Sequence, residues 1–444
     1  MASFFSSLFS VPPVLGSVFG SVWTVWGYTW WIILPIVTAA AFWESWHYYI
    51  HVRWLKKMDW QILEIKIPKN VLKTPKAMEQ IFAAAHTPYS YGLRWYQKHL
   101  EGRDEDFFSF ELVGRAGETH FYLRTQKDYR KMMESAIYGQ YPEAQIVEVE
   151  DYLKQMPHVL PNKDLDVDGF EEIFAKPAPY PLRTYISFED PVEERRVDTI
   201  ASFVEALSKM QGDQQFWMQL IIVPAGLKFV EEGEEQINKL LGIEEKKEGG
   251  SGLKFDLGFT LGEAIAAPFE HPSMEVKKDE KKGERPQRFI VSPAKKELAE
   301  GIQRKIGKLV FDTTLRFVYI ERRGETPEGG KHATLAHSYI RQFNTHDSNQ
   351  LRPDKITTTA SYAVHGPFKK LRVSWRKRVL YERYLHFSHQ SKAPVLNIEE
   401  LATIFHFPTG AVSTTELAKV ESRTGTPPAG LPIVDETTPA PPAV

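Results

Sequence analysis

Hydrophobic and polar residues change period several times along the chain, and each change marks an expected element. Residues 1–43 hold no charged side chain, and Val14 to Trp43 is apolar, aromatic or small throughout. A membrane-spanning helix needs about 20 such residues, so this run predicts a transmembrane anchor. Trp23, Trp26, Trp30, Trp31 and Trp43 lie within it, as rings that settle where hydrocarbon meets headgroups would. Pro35 marks a kink or a break. Basic residues follow only afterwards, at Arg53, Lys56 and Lys57, and the positive-inside rule then puts the rest of the chain in the cytoplasm. The expectation is a single-pass protein of the inner membrane, with a short segment 1–13 ahead of an anchor and interfacial region at 14–58. A cleaved signal peptide is the rival reading, but the run lacks a basic start and is too long.

Past the anchor the period falls to two. Leu63, Ile65 and Ile67 alternate and predict a strand closed by Pro68. Thr74 and Pro75 form an N-cap and first turn, and Met78, Ile81, Phe82 and Ala85 follow at helical spacing. Phe108, Phe110 and Leu112 alternate again, Gly114 and Gly117 mark a turn, and Phe121 and Leu123 return as the second arm of a hairpin. Tyr129, Met132, Met133, Ala136 and Ile137 make a second helical stripe, and Ile146 to Val149 a further strand. The order β-α-β-β-α-β over residues 59–160 is that of a ferredoxin-like split unit.

A second such unit is expected at 181–395, after an acidic linker at 161–180. Its first strand is Thr184 to Phe188, its helix carries Ile200, Phe203, Val204 and Leu207, and its next strand is Phe216 to Val223. An insertion at 226–293, with charge runs such as Lys277 to Lys282, interrupts it. It resumes with a helix at Ala294 to Ile306, a strand carrying Leu315, Phe317 and Tyr319, and a helix with Leu335, Ala336, Tyr339, Ile340 and Phe343. A C-terminal helix motif at 396–420 precedes a Pro/Thr-rich tail at 421–444, expected to be flexible. The fold class is thus α+β: an N-terminal transmembrane helix followed by two ferredoxin-like units, the second with a long insertion.

Composition adds limits. With 444 residues, 42% hydrophobic and 25% charged, the chain can build two or three compact domains. A formal net charge of -2 creates no overall field for polyanions, so any such attraction is local. The absence of cysteine excludes disulfides, thiolate metal sites and a cysteine nucleophile.

Candidate chemistry is thin. Gly329, Gly330 and Lys331 resemble a phosphate loop, but Glu325 and His332 stand where a glycine and a Ser or Thr are required. Asp164, Asp166, Asp168 and Gly169 open like a calcium loop, yet Ala175 replaces its bidentate glutamate. His47 and His51 lie one helical turn apart without a partner at metalloprotease spacing. No catalytic residue, cofactor or metal is assigned, and the chain is not expected to be an enzyme. The clearest local signal is electrostatic: Lys369, Lys370, Arg372, Arg376, Lys377, Arg378 and Arg383 face only Glu382 and are interleaved with Trp375, Tyr381 and Tyr384. That pattern suits single-stranded nucleic acid or another phosphate-rich surface, and equally an acidic lipid or protein, or a solvated face.

Several segments resemble the N-terminal, non-ATPase region of conjugative DNA-transfer proteins of the type IV secretion class. They are LEIKIP at 63–68, KTPKAMEQIF at 73–82, FSFELV at 108–113, HFYLRT at 120–125 and AIYGQYPEAQIVEVEDY at 136–152. YPLRTYISFED at 180–190, LNIEELATIFHFP at 396–408 and PPAGLP at 427–432 fit the same family. In longer relatives the last segment leads into a RecA-like ATPase core. The resemblance therefore implies a membrane-anchored subunit that docks or positions a separate ATPase, with Leu401, Phe405 and Phe407 either as the partner contact or as the face of an amphipathic helix packed on its own domain. The alternative it leaves open is a membrane-tethered module binding single-stranded DNA. A lipid bilayer, the ATPase and a homo-oligomer are the other expected partners.

Overall fold

The computed structural model describes residues 13–55, 57–68, 73–89, 93–103, 105–188, 198–210, 212–242, 292–324, 333–360, 363–364, 366–390 and 392–408. The side chain of Trp23, Lys56, the Gly329–His332 loop, residues 243–291 of the insertion, PPAGLP and the tail lie outside the described residues.

Pro13–Leu55 forms one helix, α1, 43 residues long and continuous through Pro35. The expectation of a transmembrane helix is nevertheless corrected: among the described residues, no helix is long and apolar enough to cross a membrane. Length is not what fails. Trp, Tyr, Gly and Thr separate the aliphatic positions of α1, and amphipathic rings favour a polar boundary over hydrocarbon. The lipid-bilayer partner, the single-pass inner-membrane location and both membrane-based roles fall with the anchor. The end of α1 packs on protein instead: Ile50 is buried, and the Trp46 indole donates to the His99 carbonyl at 3.1 Å.

Nine strands form one open antiparallel sheet, so the architecture is mixed α+β. They are β1 (Trp60–Lys66), β2 (Phe108–Arg115), β3 (Glu118–Gln126), β4 (Gln145–Val149), β5 (Leu165–Phe174), β6 (Gln215–Ala225), β7 (Val310–Arg322), β8 (Leu351–Pro353) and β9 (Val395–Asn397). The order is β4-β1-β3-β2-β6-β7-β5-β8, with β9 on β7. The two halves, β4-β1-β3-β2 and β8-β5-β7-β6, repeat one connectivity and meet where β2 pairs β6 through eight residue pairs, Phe108↔Ile222 to Arg115↔Gln215. The two expected units thus share one continuous sheet, and the linker expected between them at 161–180 is corrected.

The linker itself is β5. Asp164, Asp166 and Asp168 alternate with Leu165, Val167 and Gly169, and a strand sends such neighbours to opposite faces. Lys377 Nζ lies 2.9 Å from Asp166 and 3.1 Å from Asp168, which removes the repulsion that favoured an acidic loop. Tyr185–Ser187, read as a strand, is a 3-10 turn.

Local chemistry explains the hairpin. Ala116 (φ 52) and Gly117 (φ 83) form a two-residue turn with both backbones left-handed, the geometry that matches strand twist. Gly114 lies within β2 instead, where a Cβ would come 2.8 Å from Leu207 Cβ.

Both faces of the sheet are covered. On one, α2 (Lys76–Ala85), α4 (Arg130–Gln140), α5 (Ala201–Ser208), α8 (Ala333–Arg341) and α10 (Ile398–Ile404) bury the main core against Leu63, Phe110, Leu123, Leu220 and Phe317. Each such side chain contributes roughly 1.5–3 kcal/mol. A smaller core under the other face joins Val113, Trp217, Val318 and Ile320 to α9 (Lys369–Leu385). Short α3 (Trp95–His99) meets the end of α1, and α6 (Leu227–Leu241) packs on α7 (Pro293–Ile306) at the sheet's margin.

Candidate interaction surface

The basic stretch forms α9, and its two ends differ. Leu380, Tyr381 and Tyr384 are buried, with the Tyr384 ring tilted against Trp217, centroids 5.1 Å apart. The Tyr381 hydroxyl donates to the Pro157 carbonyl at 2.8 Å, and the Tyr384 and Tyr152 hydroxyls lie 2.7 Å apart. Three expected contact residues are used up here. Arg383 binds Glu171 at 3.0 Å, Lys377 bridges Asp166 and Asp168, and Arg376 donates to the carbonyls of Lys355 and Thr358. Burial raises the Asp168 pKa, and Lys377 opposes the rise.

A row of polar side chains crosses the sheet on the face that α9 partly covers. Glu64, Tyr122, Glu111, Gln219, Arg316 and Glu171 sit directly opposite one another across β1, β3, β2, β6, β7 and β5. Arg316 is fully buried and donates to Glu171, to Gln219 at 2.6 Å, and to the carbonyls of Arg383 and Ser388. Burial pulls its pKa down, against the carboxylate of Glu171. Arg124 makes a bidentate pair with Asp151 at 2.8 and 3.1 Å and reaches Glu111 at 3.3 Å. Burial opposes its charge, yet Glu111 and Asp151 hold its pKa above the ordinary value. These charges are paired where water is excluded, so they anchor α9 and offer nothing to a ligand.

The first half of α9 stands clear. Lys369, Lys370, Arg372, Trp375 and Arg378 are exposed, and the large apolar side chains Phe368, Leu371 and Trp375 are 75%, 69% and 63% accessible. Leu371 and Trp375 lie one turn apart on one face of α9, and Phe368 stands at its N-cap. Phe368 also holds a left-handed backbone, φ 58, at the helix start, a costly conformation for a bulky residue. Phe368 and Leu371 were passed over in the sequence; the signal that finds them is apolar residues at i, i+3 and i+7 inside a basic run.

The other expected site residues are dispersed. Trp26, Trp30, Trp31, Pro35 and Trp43 are exposed along α1, and Arg53 and Lys57 line a cleft of about 710 Å³ between the end of α1 and residues 100–129. His47 Nε2 meets His99 Nδ1 at 2.9 Å, and burial, His47 and Lys98 lower the His99 pKa. Among the described residues, no three His, Cys, Asp or Glu side chains gather as a metal site. Leu401, Phe405 and Phe407 are 0%, 1% and 3% accessible, with Phe405 against Phe110 and Phe407 against Phe121 and Tyr141. As placed they belong to the core, and a partner could reach them only if that core opened.

Residues 51–420 match the model of a protein family described as "Domain of unknown function (DUF8128)". The chain belongs to this family. The match takes in the whole sheet, α9 and α10, and leaves out α1 before residue 51. A comparison with curated proteins finds no match.

Proposed function

We propose that this chain is a non-catalytic binding protein whose docking element is the projecting half of α9, received by an apolar groove with an acidic rim on a partner protein. One observation carries the reading: Leu371 and Trp375, one turn apart on α9, and Phe368 at its N-cap are all exposed, within a run that also exposes Lys369, Lys370, Arg372 and Arg378. A stripe at i, i+3 and i+7 is the pattern of a helix laid into a groove. The cations select an acidic rim and steer the encounter. Single-stranded nucleic acid fits less well, because it is held by stacking on aromatic rings and Leu371, at the centre of the stripe, has none. The resemblance to conjugative DNA-transfer proteins supports seeking the partner within such an assembly.

Photo-crosslinking from position 375 of the intact chain identifies the partner. The purified partner should then bind Leu371→Ser at least about tenfold more weakly, a difference of about 1.4 kcal/mol. Lys369→Glu should weaken binding more at low salt than at high salt. An oligodeoxynucleotide that binds the chain, loses affinity with Lys369→Glu and keeps it with Leu371→Ser overturns the reading in favour of nucleic acid.

A further inference from the structure

A second surface, built on elements other than α9, gathers unused donors. A pocket of about 140 Å³ lies between the turn at residues 181–187, the end of α7 and the start of α10. Its acids are already satisfied. Glu400 receives Lys305 at 3.1 Å, the Leu182 amide at 2.7 Å and the Asn397 amide at 3.1 Å. Glu399 receives Lys308 at 2.5 Å. Lys305 forms a buried floor, held also by the Tyr180 carbonyl.

Four other lining side chains, Arg183, Thr184, Ser187 and Arg304, make no hydrogen bond or ion pair among the described residues. Arg183 lies over the Phe188 ring at 4.1 Å, a contact that orients the guanidinium and leaves its in-plane N–H groups available. The pocket thus presents two uncommitted guanidinium groups and two hydroxyls, with its carboxylates neutralised by lysines. That donor set matches a tetrahedral oxyanion, for which planar guanidinium forks are suited. The volume is well below the roughly 300–1,000 Å³ of sites for whole small molecules.

We propose that this pocket binds a phosphoryl group. It lies apart from the α9 surface and does not depend on the function assigned there. An occupant held by Arg183 and Arg304 joins the turn at Tyr185–Ser187 to α7, so binding stabilises the folded chain.

The test is calorimetric titration of the full chain with inorganic phosphate and, separately, with O-phosphoserine, each paired with a thermal melt. Wild type should bind saturably and melt higher in the presence of the bound probe. The double variant Arg183→Glu/Arg304→Glu, altered at two exposed positions, should lose at least about tenfold in affinity and the rise in melting temperature. Lys369→Glu should keep both. Inorganic phosphate binding as tightly as O-phosphoserine assigns the site to the free ion, and tighter O-phosphoserine assigns it to a phosphorylated side chain; either supports the proposal. No saturable binding of either probe, or equal affinities in wild type and the double variant, overturns it.

Discussion

Two rows of side chains cross the same strands one residue apart and meet opposite environments. Leu63, Leu123, Phe110, Leu220 and Leu315 run opposite one another on the face covered by five helices. Their chain neighbours Glu64, Tyr122, Glu111, Gln219 and Arg316 do the same on the opposite face, which α9 covers in part. Both rows are buried, yet they depend on their neighbours differently. An apolar contact is non-directional, so loss of one member costs its transfer energy and a cavity. A buried charge must find its own partner, so loss of one member strands another.

The largest effect should come from breaking the ionic row. Arg316→Ala leaves Glu171 buried with only Arg383 as partner, and should cost about 3–5 kcal/mol in urea unfolding. Replacing Arg316 by Met and Glu171 by Leu together should recover much of that loss, whereas Phe110→Ala in the apolar row, at about 3–5 kcal/mol, has no such rescue. A single-variant cost below about 1 kcal/mol would show that the row is not held as described.

Glu172 sharpens the comparison, because it is a charge-bearing residue on the wrong face. It follows Glu171 in β5 and points with Phe170 and Phe174 toward the apolar side, fully buried, with neither oxygen partnered among the described residues. Burial raises its pKa from 4.5 to about 8. Between those values the folded chain holds a proton that the unfolded chain has released, so stability should fall as pH rises from about 4.5 toward about 8. Glu172→Met should abolish that slope and add about 2–4 kcal/mol at pH 8. Parallel slopes in wild type and variant, from urea titrations across that range, would refute the assignment.

The smallest effect is expected on the exposed half of α9. Leu371→Ser and Trp375→Ser should change stability by no more than about 0.5 kcal/mol while removing partner binding. A larger loss would mean that the stripe packs on the chain itself.

Much of the apolar row was legible. Leu63 and Ile65, Phe108 to Leu112, and Phe121 and Leu123 alternate without interruption, and the stripes at Met78 to Ala85 and Phe203 to Leu207 show which helix faces are covered. The polar row was not, since Glu64, Glu111 and Arg316 at alternate positions look like a face turned to water. Their cover is distant in sequence: Tyr152, bonded to Glu111, meets Tyr384 232 residues away. The same distance hid β5, whose aspartates read as a solvated linker until Lys377 is brought beside them. Of the interaction surface, the basic run was visible, but that Arg376, Lys377 and Arg383 are held by the fold was not. Arg376, Lys377 and Arg383 differ from Lys369 and Lys370 only in what lies opposite them in the fold.

Where the period is unbroken, from Leu63 to Leu123 and along α2 and α5, the sequence by itself determined which side chains share a strand or helix face, because that follows from the backbone period. It also determined that cysteine chemistry is absent. Only the tertiary structure decided that the second face of the sheet is covered, that the two halves form one sheet, and that the partnered and projecting ends of α9 have different roles. Burial and charge pairing depend on segments hundreds of residues apart, and no local period records them.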